Sequence, residues 1–321
     1  MKVLIDKYIP FIKGVLEQYA DVEYLCDDEF TADRVKGADA LIIRTTVRCG
    51  ESLLAGSSVR FIATATIGTD HIDTEYCNSH DVSVFSCPGC NAQAVCDYVE
   101  EALREWKEAG HEIRTVGVVG VGNVGSLVVK MAEGCGYKVV VNDVPKGMGV
   151  PLSELVGQCD VITVHTPLTR EGDYATYHLI DEGILGRCKS GALIINAARG
   201  GVVDEKALVR SGRPYVIDCW EGEPRIENDV IGSEGCFLAS YHIAGYSVDG
   251  KKRASEMCID AIMSFLGVNS CGSGKKLVSL QAELCGVESG DSARGWLRRV
   301  SERLKRCPER FMELRKQYKF R

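Results

Sequence analysis

Three closely spaced glycines constrain the fold of this chain more than any other feature. Gly120, Gly122 and Gly125 follow the apolar run 115–119 and open a stretch with helical spacing. In a strand–turn–helix unit, the first glycine permits a tight turn, the second lets the backbone approach a pyrophosphate, and the third lets the helix pack closely on the strand. The pyrophosphate then lies at a helix N-terminus, where free amide hydrogens favour an anion. The predicted dinucleotide-binding turn comprises Gly120, Gly122, Asn123, Val124 and Gly125.

An acidic residue at the end of the next predicted strand favours one cofactor. Asp143 follows the apolar run 138–142, about twenty residues beyond the glycines. At that position a carboxylate accepts a hydrogen bond from the ribose 2'-hydroxyl of NAD, and its charge disfavours the 2'-phosphate of NADP. We therefore predict NAD as the cofactor.

Short apolar runs alternate with helix-like stretches along most of the chain, which is typical of parallel sheets with helical crossovers. Four strands are predicted in the N-terminal part, at 2–6, 40–44, 60–66 and 82–85. Six more are predicted at 115–120, 138–142, 161–165, 192–196, 215–219 and 236–240. A helix predicted over 91–109 would link the two series. The sequence thus predicts an α/β protein with two doubly wound parallel sheets, the second a complete Rossmann domain for NAD.

Composition excludes some partners. The 321 residues carry a formal charge of -7, which offers no net attraction to nucleic acid or to an anionic membrane surface. No apolar run is long enough to span a bilayer, and Met1 leads directly into the strand-like run 3–5 without a signal-peptide pattern. We expect a cytoplasmic protein that binds neither nucleic acid nor membrane.

Candidate catalytic residues follow three of the predicted strands of the second sheet. Arg199 and His242 come after the runs 192–196 and 236–240, and the acids of the segment 218–224 come after the run 215–219. Ligands of doubly wound folds bind at the carboxyl ends of parallel strands, so these side chains should lie close together. Hydride transfer from a 2-hydroxy acid needs a base, a cation for the carboxylate and a group that orients the base; His242, Arg199 and an acid of the segment 218–224 are the candidates for these roles. The other five histidines are interpreted as structural, with His165 ending its strand near the cofactor.

The fifteen cysteines are scattered, often within apolar runs, and fit buried free thiols best. Cys87 and Cys90 have the spacing of a redox pair or of half a zinc site. A second such pair or a close pair of histidines is absent from the sequence. We therefore expect no metal.

Several motifs resemble those of the D-isomer-specific 2-hydroxyacid dehydrogenase family. They are the segments 64–71, 87–92, 120–125, 165–168, 198–200, 220–224 and 242–246. The resemblance covers roughly residues 1–266 and assigns Arg199, Glu223 and His242 to the catalytic trio. The loop after Asp143 and the C-terminal segment are shorter than is usual in the family.

The resemblance implies further site residues. It assigns Thr45, Thr66 and Tyr246 to the substrate, and it assigns Asp143, Thr166, Asp218 and Gly245 to NAD. Gly68 and neighbouring loop amides would receive the substrate carboxylate. Arg44, at the end of the second predicted strand, is our own candidate for a substrate phosphate, and a solvated surface arginine is the alternative interpretation.

The resemblance also implies the domain organisation. A flavodoxin-like substrate domain would comprise 1–92 and 243–266, because a predicted helix over 249–265 returns to the first domain in this family. The NAD-binding domain would comprise 93–242. Residues 267–321 would form a short helical extension, in which Trp296, Leu297 and Phe311 would be exposed unless the segment mediates a homodimer.

The activity implied is the NAD-dependent oxidation of 4-phospho-D-erythronate to 3-hydroxy-2-oxo-4-phosphooxybutanoate, a step of vitamin B6 biosynthesis. Two alternatives remain. One is a different D-2-hydroxyacid dehydrogenase, such as one acting on 3-phosphoglycerate, because fold and catalytic trio would be the same. The other is an NAD-sensing corepressor that reuses the dehydrogenase fold to bind proteins.

Overall fold

A computed structural model of the protein describes residues 1–268, 274, 278 and 294–318. The backbone divides into two compact units. Unit 1 comprises Met1–Asn91 with Ser247–Glu288, and unit 2 comprises Ala92–Tyr246 with Ser289–Arg321. The three-part domain organisation expected from the family resemblance stays a prediction.

Unit 1 is built on a five-stranded sheet in which every paired strand is parallel. The strands are β1 (Lys2–Asp6), β2 (Asp21–Leu25), β3 (Ala40–Ile43), β4 (Phe61–Thr64) and β5 (Ser83–Phe85). Their order, β2-β1-β3-β4-β5, is that of flavodoxin-like folds. Strand β2 was not predicted, because its sequence DVEYL carries two acids and lies at the edge of the sheet.

The helices of unit 1 that the structure describes are α1 (Ala32–Val35), α2 (Glu51–Leu54), α3 (Thr74–Ser79) and α10 (Val248–Phe265). Helix α10 begins at the N-cap Ser247, whose hydroxyl accepts the amide hydrogen of Gly250. It packs on β4, where the rings of Phe61 and Phe265 stack with centroids 5.0 Å apart. The segment predicted to return to the first domain therefore lies on the sheet of unit 1.

Unit 2 contains the larger sheet. Its strands are β6 (Thr115–Val119), β7 (Lys138–Asp143), β8 (Met148–Gly149), β9 (Val161–Val164), β10 (Leu193–Asn196), β11 (Tyr215–Ile217) and β12 (Cys236–Ala239). The order is β12-β11-β10-β9-β6-β7-β8, with all pairs parallel except β7 and β8. The six predicted strands are present, and β9 to β11 are buried along their whole length, as expected for strands covered on both faces.

The short connection after Asp143 has a structural consequence. A 3-10 helix (Val144–Lys146) and the two-residue strand β8 take up the space next to β7. Strand β8 is the edge strand on this side of the sheet, and it is antiparallel to β7.

The helices of unit 2 cover both faces of its sheet. They are α4 (Ala92–Glu108), α5 (Asn123–Gly134), α6 (Leu152–Gln158), α7 (Glu182–Leu185), α8 (Glu205–Ser211), α9 (Asn228–Ile231), α11 (Trp296–Arg306) and α12 (Phe311–Gln317). Helix α11 lies against β12 and α4, and the rings of Trp296 and Tyr98 meet edge-on with centroids 6.0 Å apart.

One expectation about the C-terminal segment is wrong. Trp296, Leu297 and Phe311 are not exposed, since each is at least 95% buried in the core of unit 2. Burial of such side chains contributes about 1.5–3 kcal/mol each, and it is achieved within a single chain. These three residues therefore need no second copy of the chain to cover them. In the part of the chain described, no helix has the length and apolar character needed to cross a membrane.

Candidate active site

Three neighbouring strands bring the predicted catalytic residues together. Strands β10, β11 and β12 are adjacent and parallel, and Arg199, Glu223 and His242 lie in the loops after their carboxyl ends. The nitrogen Nδ1 of His242 lies 2.8 Å from Oε2 of Glu223. The other carboxylate oxygen of Glu223 accepts the amide hydrogen of Trp220 at 2.8 Å. The acid–histidine pair predicted from the sequence is therefore formed in the structure.

The pair leaves one ring nitrogen available. Within the described part of the chain, Nε2 of His242 makes no hydrogen bond, and the side chain is 31% exposed. Because Glu223 holds Nδ1, the ring is oriented with Nε2 directed at whatever binds beside it. A histidine held in this way can accept or donate a proton at Nε2.

Asp218 fixes the loop that carries His242. The backbone of His242 has φ +59, a left-handed conformation that costs a residue other than glycine about 1–3 kcal/mol. The buried carboxylate of Asp218 accepts hydrogen bonds from Ser240 Oγ and from the amides of Ile243 and Ala244, at 2.6–2.9 Å. These bonds stabilise the strained turn. Asp218 was predicted to contact NAD, and that contact stays a prediction.

Arg199 is held next to the loop of Glu223. A Cβ atom on the following residue, Gly200, would lie 1.9 Å from the carbonyl oxygen of Trp220, so only glycine permits this approach of the two loops. The Arg199 guanidinium donates to the carbonyl oxygen of Ala198 at 2.8 Å. It forms no ion pair with a carboxylate in the described residues, so its charge is available to an anion.

The glycine-rich turn has the geometry that the sequence predicts. Gly120 has φ +86, and a Cβ on Gly125 would lie 1.9 Å from the Gly120 carbonyl oxygen, so α5 packs closely on the turn. Gly122 is the N-cap of α5, no side chain caps the helix, and a Cβ there would meet no atom within 4 Å. No described side chain therefore occupies this helix N-terminus, where free amide hydrogens favour an anion such as a pyrophosphate.

Two more predicted cofactor residues lie beside this turn. The carboxylate of Asp143 accepts the amide hydrogens of Val121 at 2.8 Å and of Lys146 at 3.3 Å. The Thr166 hydroxyl is buried and has no hydrogen-bond partner among the described residues. An unpaired buried hydroxyl is costly, and a bound dinucleotide would give it a partner. Gly245 lies in the turn after His242.

A second acid–histidine pair lies nearby but has different geometry. His178 Nε2 lies 2.9 Å from Glu221, and its Nδ1 lies 3.7 Å from Asp204. Both ring nitrogens thus face carboxylates, and neither is left for a substrate. His165 is hydrogen-bonded to Thr163 at 3.0 Å, and burial lowers its pKa to about 3. Of these three histidines, His242 has a ring nitrogen without a hydrogen-bond partner among the described residues and is not fully buried.

In unit 1, the predicted substrate residues follow β3 and β4. Thr45 is exposed in the turn after β3. Thr66 donates to the carbonyl oxygen of Gly68 at 3.1 Å. Arg44 forms two hydrogen bonds to the fully buried carboxylate of Asp6, at 2.7 and 3.1 Å. The charge of Arg44 is therefore already compensated within unit 1.

Glu205 was not predicted from the sequence, although its carboxylate contacts the loop that carries Glu223. This buried residue at the start of α8 accepts the amide hydrogen of Glu221 at 2.6 Å. Burial, with the nearby carboxylates of Glu221, Glu223 and Glu227 adding to it, raises its pKa to about 8. Its motif, acid–acid at a helix start, is too common on surfaces to have signalled this position.

The cysteines of the described residues are free thiols and most are buried. Cys87 lies 3.5 Å from Cys258, sulfur to sulfur, rather than pairing with Cys90. Among the described cysteines, only Cys219 belongs to a group of three potential metal ligands, with Glu223 and His242, whose ligand atoms all lie within 4.8 Å of one another.

The glycine turn and the site built from Arg199, Glu223 and His242 define a dinucleotide-dependent dehydrogenase. Residues 97–244 match the model of the D-isomer specific 2-hydroxyacid dehydrogenase NAD binding domain. An erythronate-4-phosphate dehydrogenase of Bacteroides fragilis is 44% identical over 285 residues, which cover 84% of this chain and 81% of that protein. One from Bacteroides thetaiotaomicron is 38% identical and aligns with 100% of this chain and 97% of its own length.

A solved structure, the NAD⁺-bound 3-phosphoglycerate dehydrogenase of Entamoeba histolytica, has a TM-score of 0.67 and 27% identity, covering 82% of this chain and 96% of that one. The chain therefore belongs to the D-isomer-specific 2-hydroxyacid dehydrogenases, in the branch that contains these erythronate-4-phosphate dehydrogenases. The predictions of the family, the α/β fold class, the NAD cofactor and an oxidoreductase are confirmed.

Proposed function

We propose that the protein oxidises 4-phospho-D-erythronate to 3-hydroxy-2-oxo-4-phosphooxybutanoate with NAD, in vitamin B6 biosynthesis. The identity of the substrate is supported by the name that is shared by relatives 38–44% identical over most of the chain. The site supports the reaction type, because it combines an acid-oriented histidine with an arginine that no described carboxylate neutralises.

The chemistry of the chain's own residues follows from their geometry. His242 Nε2 accepts the proton of the C2 hydroxyl, while Glu223 holds Nδ1 and stabilises the imidazolium that forms. NAD, when bound, accepts the hydride that leaves C2. Arg199 binds the substrate and polarises the C2 oxygen as the carbonyl forms. The hydroxyl and C2 together lose one hydride and one proton, which gives the 2-oxo acid.

The remaining assignments belong to the same proposal. Gly120, Gly122, Asn123, Val124, Gly125, Asp143, Thr166, Asp218 and Gly245 bind NAD. Thr45, Thr66, Gly68 and Tyr246 bind the substrate, with the carboxylate received by Gly68 and neighbouring amides. We also propose a cytoplasmic homodimer, which rests on the family resemblance.

One assay tests the substrate. NADH absorbance is followed while 4-phosphoerythronate, 3-phosphoglycerate and D-lactate are presented separately. We expect the highest kcat/KM with 4-phosphoerythronate. A higher kcat/KM with 3-phosphoglycerate would show that 3-phosphoglycerate is the substrate. This second candidate is supported by the structural similarity to a 3-phosphoglycerate dehydrogenase.

A further inference from the structure

The C-terminal helix α12 places an arginine beside the loop of the catalytic histidine. Nε of Arg315 donates a hydrogen bond to the Tyr246 hydroxyl at 3.2 Å. The guanidinium carbon lies 5.7 Å from the centroid of the Tyr246 ring. Tyr246 is four positions beyond His242 in the loop after β12, and its amide donates to the Ile243 carbonyl oxygen. A residue far along the chain thus reaches the loop that carries the base.

The position of Arg315 is fixed by its helix. Phe311 and Leu314 are buried in the core of unit 2, at 1% and 5% exposure. In an α-helix, residue i+4 lies on the same face as residue i, so Arg315 shares the face of Phe311. Arg315 is itself half-buried. Its guanidinium is therefore held against unit 2 instead of being free in solvent.

The charge of Arg315 has no acidic partner in the parts of the chain that the structure describes. Other arginines of the C-terminal segment do have one: Arg294 pairs with Glu108, Arg298 with Glu105, and Arg310 with Glu313. Arg310 makes the sharpest contrast, because it borders the same short helix and is neutralised on the exposed side. A half-buried cation without a carboxylate is the kind of group that an anionic ligand completes.

Arg315 also acts electrostatically on the catalytic site. Burial, with Asp218 and Glu223 adding to it, raises the pKa of the Cys219 thiol well above its usual range, and Arg199 and Arg315 both oppose that rise. The sulfur of Cys219 lies within 4.8 Å of the ligand atoms of Glu223 and His242. Both arginines therefore act electrostatically on Cys219, which lies beside Glu223 and His242.

The proposed substrate, on which this inference rests, carries two anionic groups, a carboxylate and a phosphate. Arg199 serves the end of the substrate that carries the C2 oxygen and the carboxylate. Arg44 was our sequence-based candidate for the phosphate, but its fork is occupied by the buried Asp6 carboxylate. We infer that Arg315, oriented by the Tyr246 hydroxyl, binds the substrate phosphate and makes the enzyme select phosphorylated over unphosphorylated 2-hydroxy acids.

The test compares substrates with and without the phosphate. Arg315→Gln should lower kcat/KM for 4-phospho-D-erythronate by roughly 10- to 100-fold, as expected when a charged hydrogen bond is lost. Activity on D-erythronate should change by less than about threefold, because that substrate makes no such bond. Arg310→Gln is the matched control and should change neither. Tyr246→Phe should reduce the preference for the phosphorylated substrate without abolishing it.

Two results would overturn the assignment. One is an equal loss on both substrates in Arg315→Gln, which would indicate a role in folding or in binding NAD; the NADH dissociation constant distinguishes these. The other is an unchanged preference of Arg315→Gln for the phosphorylated over the unphosphorylated substrate. Loss of that preference in Arg44→Gln would then assign the phosphate to Arg44.

A binding measurement separates this inference from the proposed substrate. Inorganic phosphate titrated calorimetrically into the NADH complex should bind the unmodified protein and bind Arg315→Gln at least tenfold more weakly. Equal binding would refute the role of Arg315 whatever the substrate is. If 3-phosphoglycerate proves to be the substrate, the proposed function fails, and the same variants are compared on 3-phosphoglycerate and glycerate.

Discussion

Replacing Glu205 with glutamine should stabilise unit 2 and flatten its pH dependence. Glu205 is 3% exposed, accepts one amide hydrogen bond from Glu221 and lies near three other carboxylates. Glutamine keeps the acceptor oxygen and the shape while removing the ionisable group. The change therefore isolates the cost of keeping an acid at this position.

The magnitude follows from the raised pKa of Glu205. The folded-state pKa is about 8, against an ordinary value of 4.5. Between those values the folded state binds more protons than the unfolded state, so the free energy of unfolding falls as pH rises. The loss is about 1.4 kcal/mol per pH unit and reaches about 3 kcal/mol at pH 7. The amide donors of glutamine need partners and offset part of this gain, so we expect Glu205→Gln to be about 1–3 kcal/mol more stable at pH 7.

Urea unfolding followed by tryptophan fluorescence measures this difference in the free energy of unfolding. Trp106, Trp220 and Trp296 are the only three tryptophans, and all lie in unit 2. The difference in free energy of unfolding between Glu205→Gln and the unmodified protein should be near zero at pH 4.5 and should grow steadily to pH 8.

Glu182→Gln is the matched control. Glu182 follows the N-cap of α7 as Glu205 follows the N-cap of α8, but its side chain is 79% exposed. This substitution should leave the pH dependence of unfolding unchanged. A Glu205→Gln curve parallel to that of the unmodified protein from pH 4.5 to 8 would refute the reasoning, because it would mean that Glu205 ionises normally in the folded state.

Three further results are expected. His242→Gln should lower kcat by roughly 100-fold or more with NADH binding nearly intact, whereas His178→Gln should retain most activity because both of its ring nitrogens face carboxylates; similar losses in both variants would contradict the assignment of the base. Asp143→Ala should narrow the preference for NAD over NADP in steady-state kinetics, and equal use of both cofactors by the unmodified protein would disprove the role of Asp143. Light scattering should give about twice the 35.0 kDa of one chain, and a mass near 35.0 kDa at micromolar concentration would count against the homodimer.

The sequence was most informative where local pattern and position in the fold agree. Continuous apolar runs predicted the central parallel strands, and the residues just beyond them, Arg199, Glu223 and His242, were predicted to meet because such strands end at one edge. Strand β2 lacked this signal, since an edge strand carries acids that a central strand excludes. Looking just beyond continuous apolar runs identifies site residues because ligands in this fold bind at the carboxyl ends of buried parallel strands.

Residues whose role depends on distant partners left no local signal. Arg315 contacts a tyrosine 69 positions earlier in the chain, and nothing in the tail predicts that contact. The same holds for Trp296 and Phe311. Their apolar periodicity indicated that a surface must cover them, but could not indicate that the surface belongs to the same chain.

Two further acids support the loops that carry the pair of Glu223 and His242. Asp218 receives three hydrogen bonds within the turn of His242, from one hydroxyl and two amides, and these hold that turn in its strained conformation. Glu205 receives a single amide hydrogen bond from the loop of Glu223, and it is surrounded by carboxylates that oppose its ionisation. Because ionised Glu205 would repel Glu221 and Glu223, we expect its deprotonation above pH 8 to perturb the acid that orients His242. We therefore expect alkaline pH to act on this site through the loop of Glu223.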